Sequence, residues 1–427
     1  MRYITPNDER ITEKTDAERI QAAIKLAKET GLNAVSVPKL TYDGRDKWII
    51  DKTVLLPSDI TIYLDNCTLE TPKTVACNIF RNEIYGTPDE TLPEKEQHDI
   101  NIIGIGNAVL DGGEYNGLSE SNSGKDGRPS IRENSMIMIT NTRYMRIENL
   151  KIKRHRWWAF CFAYSNHVHI SDVDFQADYT YVDENGVRRF DRTAKEEYEC
   201  YVKNADGIDL RNGCCYFTIE NITGKTEDDS VALTTLQGSW KEKFVKGKDN
   251  DIHDVTIKNI KTDCLACGNI RLTCADGNQV YNILIDGVFD AAPDDAIYAS
   301  GGTIKVNDSY YRYDRISALG EMRNIVINNV YSKSKVAAIN LQQTAKNVTI
   351  SNVFIKKPSA KAITHHAGYG YLRDNNGPFE YENVNISGVY YDTEPTVDYA
   401  IDFKGSTVKN LNVSALGGGV KIRKEEL

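Results

Sequence analysis

In a chain of 427 residues there is no run approaching the roughly 20 apolar residues that a membrane span requires, so no membrane partner is expected. The opening segment, Met1-Arg2-Tyr3-Ile4-Thr5-Pro6, lacks the charged-then-apolar pattern of a secretory signal, which predicts a cytoplasmic protein. Cysteine is scarce and odd in number, nine in all. Cys67, Cys77, Cys161, Cys200, Cys214, Cys215 and Cys274 show no framework spacing, and free buried thiols in a reducing compartment are the expectation. Cys264-Leu265-Ala266-Cys267 is a lone CxxC without a second ligand pair, which argues against zinc. Positive charge is in deficit: the net charge of −9 argues against a nucleic-acid partner and mildly disfavours a long polyanion, although a local basic groove could override the average. Hairpin dipeptides between strands are also rare, which weighs against a β-sandwich.

What the chain does have is one short pattern, repeated. Polar and apolar residues alternate, then comes Asn, Asp or Gly, then an apolar residue. Copies run from Arg146-Ile147-Glu148-Asn149-Leu150 through Val168-His169-Ile170-Ser171-Asp172-Val173, Phe217-Thr218-Ile219-Glu220-Asn221-Ile222 and Val255-Thr256-Ile257-Lys258-Asn259-Ile260. They continue with Ile283 to Val288, Ile325 to Val330, Val348 to Val353 and Val384 to Val389. The shortest interval, Ile147 to Ile170 or Ile327 to Ile350, is about 23 residues, a solenoid period. Alternation puts Val and Ile on one side of each strand, the Asn, Asp or Gly marks a corner, and stacked coils bury each apolar row on the next. The pattern predicts an all-β chain, a right-handed single-stranded parallel β-helix forming one domain over residues 1–427.

A solenoid needs covered ends. Thr15-Asp16-Ala17-Glu18 is a capping-box signature, and Ile20, Ala23, Ile24 and Ala27 share one helical face before Gly31, so a capping helix is predicted over about 15–31. The charged tail over about 420–427, after Gly417-Gly418-Gly419, is expected to be loose. Long loops are expected over 111–134, 176–204 and 237–251, and loops of such length in a compact protein are usually functional or disordered.

Asn204-Ala205-Asp206-Gly207-Ile208-Asp209 is followed about one coil later by Glu227-Asp228-Asp229-Ser230-Val231-Ala232. Residues one coil apart stack at roughly 4.8 Å, so this spacing gathers carboxylates on one patch. Crowded carboxylates cannot all ionise, and an acid beside one or two bases is what glycosidic cleavage requires. A single corner Asp ordinarily makes turn hydrogen bonds, as expected of Asp263 and Asp286; two paired motifs at coil spacing favour chemistry. Strict alternation would turn Asp229 inward with Val231 and Leu233, so a bend is needed there for both Asp228 and Asp229 to face a substrate.

These two motifs resemble the Asn-x-Asp and Asp-Asp signatures of glycoside hydrolase family 28, the polygalacturonase and rhamnogalacturonase group. Val109-Leu110-Asp111-Gly112-Gly113, Arg128-Pro129, Trp158, Thr15-Asp16-Ala17 and Val35-Ser36-Val37-Pro38 resemble further stretches of that family. The resemblance implies a right-handed β-helix that hydrolyses with inversion, without metal or organic cofactor, with Asp228 as general acid and Asp206 and Asp229 activating water. It also exposes two departures. The family's Gly-His-Gly should fall near Cys267-Gly268-Asn269-Ile270-Arg271, where no His stands, although rhamnogalacturonase-like members lack it too. The carboxylate-binding Arg-Ile-Lys should fall near Ala296-Ile297-Tyr298-Ala299, where both cations are missing.

A substrate carboxylate buried without a partner is costly, so plain polygalacturonate is expected to be a poor substrate and a neutral or deoxy sugar a better one. Asn204, Asn269, Arg271, Tyr298, Trp158 and Arg188 are the candidate substrate contacts. Ile270 and Leu272 imply an alternation that could turn Arg271 to solvent. Trp157 and Trp158 suit either a sugar face or packing. Arg154-His155-Arg156 reads as a solvated basic run, and His167 and His169 as outer-face residues. The expected partner is a pectin-related oligosaccharide; a β-helix lyase or epimerase on uronic sugars, or a non-catalytic carbohydrate-binding solenoid, are the alternatives. Oligomeric state is left open.

Overall fold

The computed structural model describes residues 2–118, 122–178, 181–182, 188–189, 205–235, 244–265, 267–275, 277–294, 302–308, 316–365 and 379–424. They fall into two compact units. The first is Met1–Ile208 with Ile222–Glu227 and Lys243–Lys248; the second is Asp209–Asn221 with Asp228–Glu242 and Asp249–Leu427. Each is a stack of parallel β-coils, the architecture that the repeat predicts.

In the first unit one sheet runs through Ala34–Val37, Ile60–Asp65, Gln97–Ile105, Thr142–Lys153 and Asn166–Gln176. Its register stacks Val35, Ile62, Ile102, Ile147 and Ile170 in a single row. Every member is fully buried, and each buried Ile contributes roughly 1.5–3 kcal/mol. A second sheet carries Val54, Phe80, Ile137 and Phe160 in the same manner. Over these coils lies the helix Asp16–Glu29, with Thr15 as N-cap, its hydroxyl accepting from the Glu18 amide, and Gly31 at φ +68° just past the end. Ile20, Ala23, Ile24 and Ala27 are buried as expected. Gln21 ties the helix to the Val54–Leu56 strand, its amide donating to the Leu55 carbonyl and its carbonyl accepting from the Leu55 amide.

In the second unit the corresponding rows are Ile257, Ile285, Ile327, Ile350 and Ile386 in one sheet. In the other they are Val231, Ile270, Ile304, Ile339, Ile363, Ile401 and Ile422. This last row corrects one expectation: the tail is not loose from 420 onward, because Ile422–Arg423 forms a strand and Arg423 pairs with Asp402.

The corner residues read from the repeat all take the left-handed conformation: Asn149, Asp172, Asn221, Asn259, Gly287, Asn329, Asn352 and Gly388 lie at φ between +53° and +79°. Asn, Asp and Gly bear that conformation at least cost. A second left-handed position, unseen in the sequence, opens the same strands at Asp254, Asn282, Asn324, Asn347, Asn383 and Asn410. There the Asn side chains hydrogen-bond from coil to coil at 2.8–3.0 Å.

Arg154, His155 and Arg156 are not a solvated run. Arg154 forks onto Asp111 at 2.7 and 2.8 Å, and His155 packs edge-on against Phe175. Arg156 donates to the carbonyls of Thr71, Pro72 and Val75, and burial pushes its guanidinium down to about 10. Arg156 braces the first unit from within, because neighbouring coils supply acceptors that one strand's sequence does not reveal. His167 and His169 do face outward, His169 toward Glu148 at 3.4 Å.

Candidate active site

The Asp228-Asp229 corner precedes the strand Val231–Thr235. Its backbone is clamped to the next coil, Ser230 N donating to Gly268 O at 3.2 Å and Val231 N to Asn269 O at 3.1 Å. Asp229 N turns back onto Asp228 Oδ1 at 3.0 Å, and the Cys264 thiol donates to the Asp228 carbonyl at 3.3 Å. Because both carboxylates come before the strand begins, alternation does not dictate where they point. Asp228 is half-buried and Asp229 wholly buried.

Ala232 pairs in register with Arg271, and Arg271 with Lys305. Inward Ile270 and Leu272 do set Arg271 on the opposite face of its strand, as alternation predicts, but that face is covered. Arg271 is 5% exposed and forms an ion pair with Asp229 at 2.9 Å, so it does not turn to solvent. Lys305, 3% exposed, donates to the Cys267 sulfur at 2.9 Å and stands 3.9 Å from Asp308. The register therefore corrects the reading at 296–299. The strand next to Ile270–Cys274 is Ile304–Val306, and it does present a cation.

Burial dominates the electrostatics of the cluster. It pushes the Asp229 carboxyl up to about 7 against the pull of Arg271, with Asp228 adding to the rise. Burial also drives the Cys264 and Cys267 thiols well above the usual range, so both stay protonated. The same desolvation would strip Lys305 of its proton, yet Cys267, Asp308 and Asp229 around it hold it well above an ordinary lysine. Carboxylate oxygens of Asp228 and Asp229 and the Cys267 sulfur lie within 4.8 Å of one another, a spacing that would suit a cation. Here Arg271 and Lys305 supply that positive charge.

The other candidates divide. Asp206 lies in the first unit, 2% exposed, its carbonyl accepting from the Ala159 amide at 2.9 Å. Asn269 is held within its own coil, its amide donating to the Thr262 carbonyl at 2.6 Å and hydroxyl at 2.9 Å, which makes it a corner staple. Trp158 is 4% exposed and stacked on Trp157 at 4.7 Å, a packing role. Asn204 and Tyr298 lie outside the described residues. Arg188 sits in a short antiparallel pair with Val182, its side chain outside the description. Sequence reasoning missed Cys267, Lys305 and Asp308. A signal existed in Gly268-Asn269-Ile270-Arg271-Leu272 and Gly302-Thr303-Ile304-Lys305-Val306, which share Gly, a polar residue, Ile, a cation and an aliphatic residue.

Coils of this kind, with one parallel row of Ile above another, place the chain among the right-handed parallel β-helix proteins. Residues 49–247, just under half of the chain, match the family described as Glycosyl hydrolases family 28. The matched segment contains Asp206, Asp228 and Asp229 and ends before Cys267, Arg271 and Lys305. A probable endopolygalacturonase D of Aspergillus flavus is 24% identical over 203 residues, covering 44% of this chain and 39% of the relative. The chain thus matches well under two thirds of that relative's length. Among solved structures, a family 28 exopolygalacturonase of Yersinia enterocolitica superposes with a TM-score of 0.57 at 13% identity, over 99% of this chain and 79% of that one. PfbA, a surface adhesin of Streptococcus pneumoniae, gives 0.57 at 14% identity over 98% and 93% of the two chains. The A-module of the Azotobacter vinelandii mannuronan C-5 epimerase AlgE4 gives 0.56 at 13% over 96% and 94%. At these identities the likeness is one of fold.

Proposed function

We propose that this chain is an inverting glycoside hydrolase acting on a pectin-type oligosaccharide that contains uronic acid. Asp228 protonates the leaving oxygen, and Asp229 activates the water. The observation that supports it most is the environment of Asp229: a carboxylate raised to about 7 by burial is a general base poised near working pH. Half-buried Asp228, one residue away, is open to a sugar oxygen. Lys305 and Arg271 favour an acidic sugar at this site, which reverses the expectation drawn from residues 296–299.

The test is catalytic efficiency on galacturonate oligomers against oligomers of neutral or deoxy sugars, with wild type and Lys305→Met. Wild type should prefer galacturonate, and Lys305→Met should raise KM for galacturonate about tenfold or more while leaving neutral oligomers nearly unchanged. A wild-type preference for neutral oligomers would overturn the substrate assignment. A lyase or epimerase reading draws support from the same two cations, since proton abstraction beside a carboxylate needs a base and a neutralising charge. Against it, Arg271 is paired to Asp229 and Lys305 is held protonated, leaving neither as a base. An unsaturated, ultraviolet-absorbing product would select the lyase.

A further inference from the structure

We infer that Cys267 is a positioning residue of this site, its thiol linking Asp229 to Lys305. The inference rests on the hydrolase reading above. Cys267 stands beside both groups. Its sulfur accepts from Lys305 Nζ at 2.9 Å, with an Arg271 nitrogen 3.9 Å away, and lies within 4.8 Å of a carboxylate oxygen of Asp229, a position from which its S–H can donate to that carboxylate. Only a neutral thiol can do both, because a thiolate has no proton to give. The burial that keeps Cys267 protonated is therefore part of the arrangement.

The charged and titratable groups facing Asp229 are Asp228, Cys264, Cys267, Arg271 and Lys305. Arg271 is its ionic partner, and Cys264 acts on the corner through the Asp228 carbonyl. Cys267 stands beside both the carboxylate and the second cation. Sulfur is a weak donor, so the bridge orients Asp229 while lowering its proton affinity only modestly. The Cys267 sulfur and Asp308, 3.9 Å away, together hold the Lys305 ammonium in place.

The test reads Asp229 directly by carbon-13 NMR of labelled aspartate carboxyls in the full chain. Wild type, Cys267→Ala and Cys267→Ser are titrated, with Asp229→Asn to assign the resonance. Losing the donor should move the Asp229 midpoint upward by roughly half to one pH unit in Cys267→Ala. Cys267→Ser, which can still donate and accept, should return it toward wild type. The rising limb of the pH–rate profile should shift in parallel, a change that simple loss of packing does not cause. Should Cys267→Ala fail to fold, Cys267→Val keeps the volume and serves instead. An Asp229 midpoint that is unchanged or lower without the thiol overturns the inference. A midpoint that moves as expected in a protein that cleaves no pectic oligomer leaves the bridge standing and removes the hydrolase.

Discussion

Asp228 and Asp229 are chain neighbours in different surroundings, one half-buried and one sealed against Arg271. That difference is what two identical side chains need to hold the opposite roles proposed for them. Substituting Asp228 by Asn should lower turnover about 100- to 10,000-fold, the usual worth of leaving-group protonation, with the melting transition nearly unchanged. Near-wild-type turnover in a folded Asp228→Asn protein would remove Asp228 as the acid. At this scale the paired aspartates were legible because the Asp-Asp motif is a local string. Lys305 was not, because the coils differ in length: the resemblance placed the carboxylate-binding stretch near 296–299, whereas the strand that pairs with Ile270–Leu272 is Ile304–Val306.

Strands and corners carry their own predictions. Asn324, at φ +56°, donates to Asn282 and accepts from Asn347, both at 2.9 Å. A β-branched residue there loses both ladder bonds and meets the left-handed penalty, so Asn324→Val should cost about 1–2 kcal/mol, read as a lowered melting temperature. Asn324→Gly, which relieves the backbone, should cost less. Phe289 and Tyr331 also stack face to face on the outer surface at 4.6 Å, 5° from parallel. Their faces are turned to each other, so the row presents ring edges to solvent and serves as a coil-to-coil ladder.

At the C-terminal coils Asp402 accepts from Lys361 and Arg423, which outweigh its burial and hold it well below the usual carboxylate range. A depressed carboxylate stabilises the fold above its unfolded value and loses that contribution as pH falls through its folded value. The final strand pair should therefore loosen in acid below about pH 4. In hydrogen exchange, the Phe403 amide, which bonds to the Arg423 carbonyl at 3.0 Å, should lose protection. Asp402→Asn should show the same loss at neutral pH; full protection in that variant would show that packing alone seats the last coil.

For the protein as a whole, the proposed chemistry has one stereochemical signature. Room for a water opposite the leaving group makes an inverting enzyme, so proton NMR should show the first product with the anomeric configuration opposite to that of the substrate. A retained anomer or a trapped glycosyl-enzyme would exclude the mechanism. The sequence by itself determined the coil repeat, the inward rows of Val and Ile, the left-handed corners and the Asp-Asp pair. Each of these is written in residues a few positions apart, where alternation and backbone preference act. Only the tertiary structure decided what covers the outward side of each strand. It buried Arg271 and Arg156, paired Arg154 with Asp111, tied Asn269 to its own coil, and set Cys267, with Lys305 on its sulfur, beside Asp229. The reason is physical: alternation reports which side of a strand a residue takes, whereas its partners there come from coils far away in sequence, brought into register by loops of unequal length.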